Sequence, residues 1–133
     1  MPKFFSQEWI DKFVEAINSN EEYEKAAKDW EGDFLFVVEP DGELEEPKYA
    51  YIDLYHGKAR EGYVVEDPSQ VKTAFEFSGK FSDWKKLLAG EIDPIKGLVT
   101  RKFKLKGNMA MVMRYTKAAK LLVECTKQVE TEF

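Results

Sequence analysis

Cysteine and histidine are almost missing from this 133-residue chain, which holds one of each, Cys125 and His56. A lone cysteine excludes an intramolecular disulfide, and a reducing cytoplasm is the expected setting. Cys125 is expected to be a buried structural thiol. A single histidine with no Cys or His partner at ligand spacing argues against a zinc site. A histidine-based triad would have to be built on His56, and no G-x-S-x-G elbow accompanies it. Neither G-x-x-x-x-G-K-[ST] nor G-x-G-x-x-G occurs, so neither a P-loop nor a dinucleotide-binding turn is indicated, and no cofactor is expected. Apolar runs stay well short of the roughly 18 residues of a membrane span. The start, MPKFFSQEW, has one lysine and no apolar core, and is not expected to be a secretory signal. Glu43, Glu45 and Glu46 sit in a loop-like run that reads as a solvated turn. The expectation is a protein that is not an enzyme.

What the chain does have is aromatic side chains: ten Phe, six Tyr and three Trp. Its length suits one domain spanning 1–133 with a real core. The net charge of −5 conceals an asymmetry. Residues 1–67 carry 7 Lys/Arg against 18 Asp/Glu, and residues 68–133 carry 13 against 7. Nucleic acid is not the expected partner, because such domains are basic overall. A positive patch facing a small anionic ligand or an anionic membrane surface fits better. Mutual attraction of the two halves across the fold is the other reading.

Periodicity orders the chain. Ser6 caps a first helix whose Trp9, Ile10, Phe13, Val14 and Ile17 recur at helical spacing. Asn20 caps a second, with Gly32 as its C-terminal stop. Phe34–Val38 reads as a buried strand, Tyr49–His56 and Ala59–Glu66 as alternating strands, and Val71–Ser78 as a fourth. Short turns between them predict an antiparallel meander. Ser82 or Asp83 caps a helix over 84–89, ended by Gly90. Asp93-Pro94 starts another, which Gly97 ends early. Val99–Lys106 is an edge strand guarded by lysines. One final helix is expected from about Asn108 to Glu130, with Met111, Tyr115, Ala118, Leu122 and Cys125 on its main stripe.

The stretch 95–123 joins the densest positive charge to three methionines, and adaptable apolar surfaces use methionine often. Candidate walls of an apolar ligand pocket are Phe75, Phe77, Trp84, Leu88, Ile95, Leu98, Phe103, Leu105, Met109, Val112 and Met113. Met109 and Met113 lie off the main stripe, where they either pack on the neighbouring strand or line a cavity. The narrowest expectation sets Met109, Val112 and Met113 against Phe103 and Leu105 across Gly107. Arg101, Lys102, Lys104 and Lys106 either rim the pocket for a carboxylate, phosphate or CoA group, or form a solvated edge. Burial of an acyl chain is worth roughly 0.8 kcal/mol per methylene, so such a site needs no specific chemistry.

This arrangement resembles the sterol carrier protein type 2 family. The resemblance is carried by Phe81-Ser82-Asp83-Trp84-Lys85-Lys86-Leu87-Leu88-Ala89-Gly90, by Asp93-Pro94, by Phe103-Lys104-Leu105-Lys106-Gly107-Asn108-Met109, and by Leu121-Leu122. It implies an α+β, SCP2-like fold: a five-stranded, mostly antiparallel sheet with helices on one face and an apolar cavity between them. It also implies non-catalytic carriage of a fatty acid, acyl-CoA, phospholipid or sterol-like ligand. An accessory subunit docking on a partner enzyme of acyl metabolism, through the acidic first half, is the alternative. Two departures stand out: Thr100-Arg101 replaces the glycine frequent before the basic strand, and Glu132-Phe133 is not the Ser-Lys-Leu address of peroxisomal members.

Overall fold

The computed structural model describes residues 1–133. Helix starts fall where local capping puts them. Ser6 Oγ accepts the Trp9 N–H ahead of α1 (Gln7–Asn18), and Asn20 Oδ1 accepts the Tyr23 N–H ahead of α2 (Glu21–Ala26). Then come β1 (Glu31–Glu39), β2 (Lys48–Tyr55) and β3 (Lys58–Val65). A two-residue turn joins β2 to β3, with positive φ at both His56 and Gly57. That mirror-image turn matches the twist of the strands it connects. After β4 (Phe75–Lys80) follow α3 (Phe81–Leu88), α4 (Pro94–Val99), β5 (Phe103–Lys106), α5 (Met109–Arg114) and α6 (Thr116–Thr126).

The fold class holds: five strands in one sheet, with helices packed on one face. The meander does not. Strand order is β3-β2-β1-β4-β5, and β4 lies parallel to β1, with Phe34 opposite Phe75 and Phe36 opposite Phe77. The other three pairings are antiparallel. To reach its place, the chain leaves β3 at one edge and crosses the face that carries no α-helix, making a single 3-10 turn at Pro68–Gln70. Val71 packs there on Leu35, Val37 and Val65. The Ala74 N–H then reaches Asp33 Oδ1 at 2.7 Å. Val71 and Thr73 thus belong to the crossing, not to a strand.

Other local expectations also change. Gly32 lies within β1, and α2 ends at Ala26 with the Ala27 N–H on the Tyr23 carbonyl. Neither Ser82 nor Asp83 caps α3: the cap is Lys80, without a side-chain bond, and the Ser82 hydroxyl bonds Asp41. Gly97 does not stop α4, which runs to Val99. Its role is steric. A Cβ on Gly97 would sit 2.8 Å from the Phe103 ring, and one on Gly79 would sit 2.4 Å from it. Two bare backbones therefore clasp Phe103 between β4 and α4. The final helix is two helices. At Tyr115 the backbone leaves helical geometry (φ −110°, ψ 36°), and its ring meets Trp30 edge-on at 5.0 Å.

Candidate ligand cavity

The space between the sheet and the helices is not filled. Its lower wall is the inner face of the strands. Strand alternation turns Phe34, Phe36, Ile52, Phe77 and Leu105 to that side, and each borders the void. Phe5, Trp9, Ile10 and Phe13 close it from the α1 side, Trp84 and Leu87 from α3, and Pro94, Ile95 and Leu98 from α4. Val112 comes from α5, and Ala119, Leu122, Val123 and Thr126 come from α6. The chamber measures about 90 Å³. A smaller one of about 40 Å³ lies beside it, under Tyr23, Trp30 and Tyr115. Phe34, Val112, Ala119 and Leu122 belong to the walls of both.

Seventeen of the 19 residues around the larger chamber are hydrophobic. Its few polar atoms are already engaged. The Trp9 indole N–H donates to Thr131 Oγ1 at 2.8 Å, and that of Trp84 to the Val37 carbonyl at 3.0 Å. Thr126 Oγ1 donates to the Val123 carbonyl. Beside the smaller chamber, the Trp30 N–H donates to the Gly32 carbonyl at 3.0 Å. No buried side-chain polar atom lacks a partner. A molecule in this space meets carbon alone, so only its size and apolar surface could select it.

Of the eleven candidate wall residues, Phe77, Trp84, Ile95, Leu98, Leu105 and Val112 border the chamber. Phe75 and Phe103 are core: Phe75 packs on Trp30 and Phe34, and Phe103 stacks on Phe77 at 4.9 Å. Leu88 is half-buried against that core. Met109 and Met113 are 39% and 36% exposed, and neither borders the chamber. The four basic residues separate. Arg101 and Lys102 are exposed in the turn before β5. Lys104 and Lys106 alternate with the inward Phe103 and Leu105, and so leave by the opposite face, where Lys106 meets Glu76 at 3.5 Å. The structure does not bring those two to the cavity. The walls supplied by α1, β1 and β2 lay outside the sequence reading, although Phe34 and Phe36 already showed the spacing that places both on one face.

Groups with reactive potential stand elsewhere. Cys125 is fully buried, and burial pushes its thiol up while the Asn20 amide, 3.5 Å away, pulls it down. His56 sits in the exposed β2–β3 turn, 3.3 Å from a Glu31 carboxylate oxygen.

A mixed sheet covered on one side, with a chamber lined by carbon beneath the cover, is the architecture of a protein that houses an apolar guest. The model of the SCP-2 sterol transfer family matches residues 10–120, and the chain belongs to that family. Membership supports lipid or sterol binding and transfer as the general activity, in a family whose fold is generally a non-catalytic carrier. Among solved structures it is similar to one described as sterol carrier protein 2, with 28% identity and a TM-score of 0.88, covering 96% of this chain and 100% of that one. A conserved hypothetical protein of Thermus thermophilus, described as a possible sterol carrier protein, also shares 28% identity at a TM-score of 0.88, over 98% of this chain and 92% of that one. A UbiJ-SCP2 ubiquinone synthesis protein shares the fold at 10% identity and a TM-score of 0.51, over 87% of this chain and 86% of that one. No curated protein matches in sequence. No helix is long and apolar enough to cross a membrane.

Proposed function

We propose that this chain binds and carries a hydrophobic ligand, in the chamber between the sheet and α1, α3, α4, α5 and α6, without catalysing a reaction on it. Fatty acid, acyl-CoA, phospholipid and sterol-like molecules belong to the class. The observation that carries the reading is the lining: apolar on nearly every side, with each indole N–H already bonded elsewhere. Phe36, Phe77, Trp84, Leu98, Val112 and Leu122 are the contacts we assign to the guest.

Ligand pockets usually span about 300–1,000 Å³, far more than this chamber. Loading therefore requires a wall to move. α5 is the wall we assign, because Val112 is its one buried side chain and borders both chambers. Val112 shares that position with Phe34, Ala119 and Leu122, which stand on the sheet and on α6. The free thiol at Cys125 suits a cytoplasmic setting.

Native mass spectrometry of the purified protein, before and after addition of palmitate, tests the reading. The expected result is a 1:1 acyl complex that survives gentle desolvation. A chain that neither retains a lipid from its source nor takes up palmitate would overturn it.

A second reading has its own support in the exposed acidic residues Glu8, Asp11, Glu15, Glu21 and Glu22 of α1 and α2. They would form the contact of an accessory subunit with an enzyme of acyl metabolism. Affinity capture from native lysate separates the two, since a stoichiometric partner favours docking and a lipid-loaded monomer favours carriage.

A further inference from the structure

The smaller chamber differs from the larger in having a closed and well-anchored end. Tyr23, Trp30 and Leu54 stand there, 1%, 5% and 1% exposed. Helix α2, which carries Tyr23, and the residues after it are fastened to the β2–β3 hairpin at three points. Lys58 Nζ meets Glu24 Oε2 at 2.7 Å, and the His56 N–H donates to the Trp30 carbonyl at 2.7 Å. At the third, a Cβ on Gly57 would sit 2.6 Å from the Glu24 carbonyl oxygen, so the turn and α2 touch backbone to backbone. Helix α5 is the opposite case, held by the one buried side chain of Val112.

Neither chamber has a charged residue in its lining. A carboxylate or phosphate drawn inside would lose its water and find no cation, which is costly. The polar head of a guest therefore stays outside, and its chain enters tail first. All ten residues around the smaller chamber are hydrophobic, and four of them, Phe34, Val112, Ala119 and Leu122, also border the larger one. A straight chain passing those four ends against Tyr23, Trp30 and Leu54.

We infer that the smaller chamber is the terminal subsite for an unbranched acyl chain, and that its anchored end sets the length beyond which added carbons gain nothing. The inference rests on the carriage reading and narrows its ligand class. Roughly 10–15 Å³ of such space takes one water-sized group, so the 40 Å³ here houses about three carbons. Each methylene taken from water raises affinity roughly fourfold. A chain too short leaves the subsite empty. One too long keeps its surplus methylenes outside, in water.

Isothermal titration of the full chain with decanoate, laurate, myristate, palmitate and stearate tests the ruler. Affinity is expected to climb roughly fourfold per methylene and then level off. Ala118 borders the smaller chamber and not the larger. Ala118→Leu should therefore bring the levelling-off forward by about three carbons, so that palmitate loses at least tenfold more affinity than decanoate does. Tyr115→Ala, at the half-buried ring against Trp30, should move it to longer chains, and serves as the second variant should Ala118→Leu melt early. An affinity that keeps climbing through stearate, or a length profile that both variants leave in place, would overturn the ruler. Carriage would then stand, with the smaller chamber a packing void. A wild type that binds none of the five acids overturns the carriage reading itself, and the ruler with it.

Discussion

The two faces of the sheet are built from alternate residues of the same strands, yet they solve burial differently. Toward the helices, Phe34, Phe36, Phe75, Phe77 and Phe103 meet ring to ring and still leave a void. Away from them, Tyr49 and Tyr51 pack on a three-residue cluster of Leu35, Val37 and Val65, while Tyr55 and Tyr63 are exposed, Tyr63 against the Tyr51 ring at 5.0 Å. There Tyr51 donates to Asp33 at 2.9 Å, and Arg60 sits 3.9 Å over the Tyr55 ring while bonding Asp53. Phenylalanine is used where no water can reach, and tyrosine where a hydroxyl must still find a partner. The lesson is that aromatic content alone does not locate a ligand site. A face on which every polar atom is answered within the protein does.

Three substitutions probe that contrast, in descending order of effect. Phe103→Ala removes a ring that is 1% exposed, with bare glycine backbone on two sides and the large rings of Phe77 and Trp84 against it. A loss of about 3–5 kcal/mol in denaturant unfolding is expected. A cost under about 1 kcal/mol would mean that the clasp is looser than described.

On the chamber wall the sign should reverse. Ala119 borders both voids, and Ala119→Leu places carbon where there is none. At roughly 24 cal/mol per Å³, an unfilled 90 Å³ space opposes folding by roughly 2 kcal/mol, part of which leucine recovers. The variant should melt a few degrees higher and bind palmitate at least tenfold more weakly. Higher stability with unchanged uptake would separate this space from the ligand site.

The smallest effect belongs to the open face. Burial, and then the bond to Asp33, push the Tyr51 hydroxyl above the ordinary tyrosine value. Under the helices, burial and then Cys125 do the same for Tyr23. A raised folded-state pKa means that this contribution is whole below about pH 10 and is lost as pH rises past it, because the unfolded chain ionises first. Tyr51→Phe should cost about 1 kcal/mol at pH 7 and make alkaline unfolding less steep. An unchanged alkaline slope would place the titration at Tyr23 alone.

Much of the local structure was legible in the sequence, because its causes are local. Ser6, Asn20, Asp93 and Asn108 each cap the helix that follows them. At Asp93 the capping bonds from Lys96 and Ile95, with Lys120 beside them, hold the carboxyl low despite a burial that acts to raise it. The parallel seat of β4 was not legible, since nothing in Phe75–Lys80 records which strand lies alongside. The break at Tyr115 was hidden because the apolar period runs through it unbroken. The outward course of Lys104 and Lys106 was readable: once Phe103 and Leu105 face the core, a strand leaves the lysines no other side. Thirteen of the 19 wall residues were not among the candidates: seven lie just before or in α1 and in β1 and β2, far along the chain from the Met-rich stretch, and six lie in α3, α4 and α6.

All three tryptophans of the chain stand against the empty space, Trp9 and Trp84 at the larger chamber and Trp30 at the smaller. With each indole N–H tied to an internal acceptor, their emission is set by whatever lies against the ring faces. The protein thus carries an intrinsic optical gauge of its own occupancy. A guest arriving in the larger chamber shifts the spectrum of two indoles directly, and one that spreads into the smaller chamber reaches the third. Single-tryptophan variants, read one at a time without any attached dye, would map how far along the fold a bound chain extends.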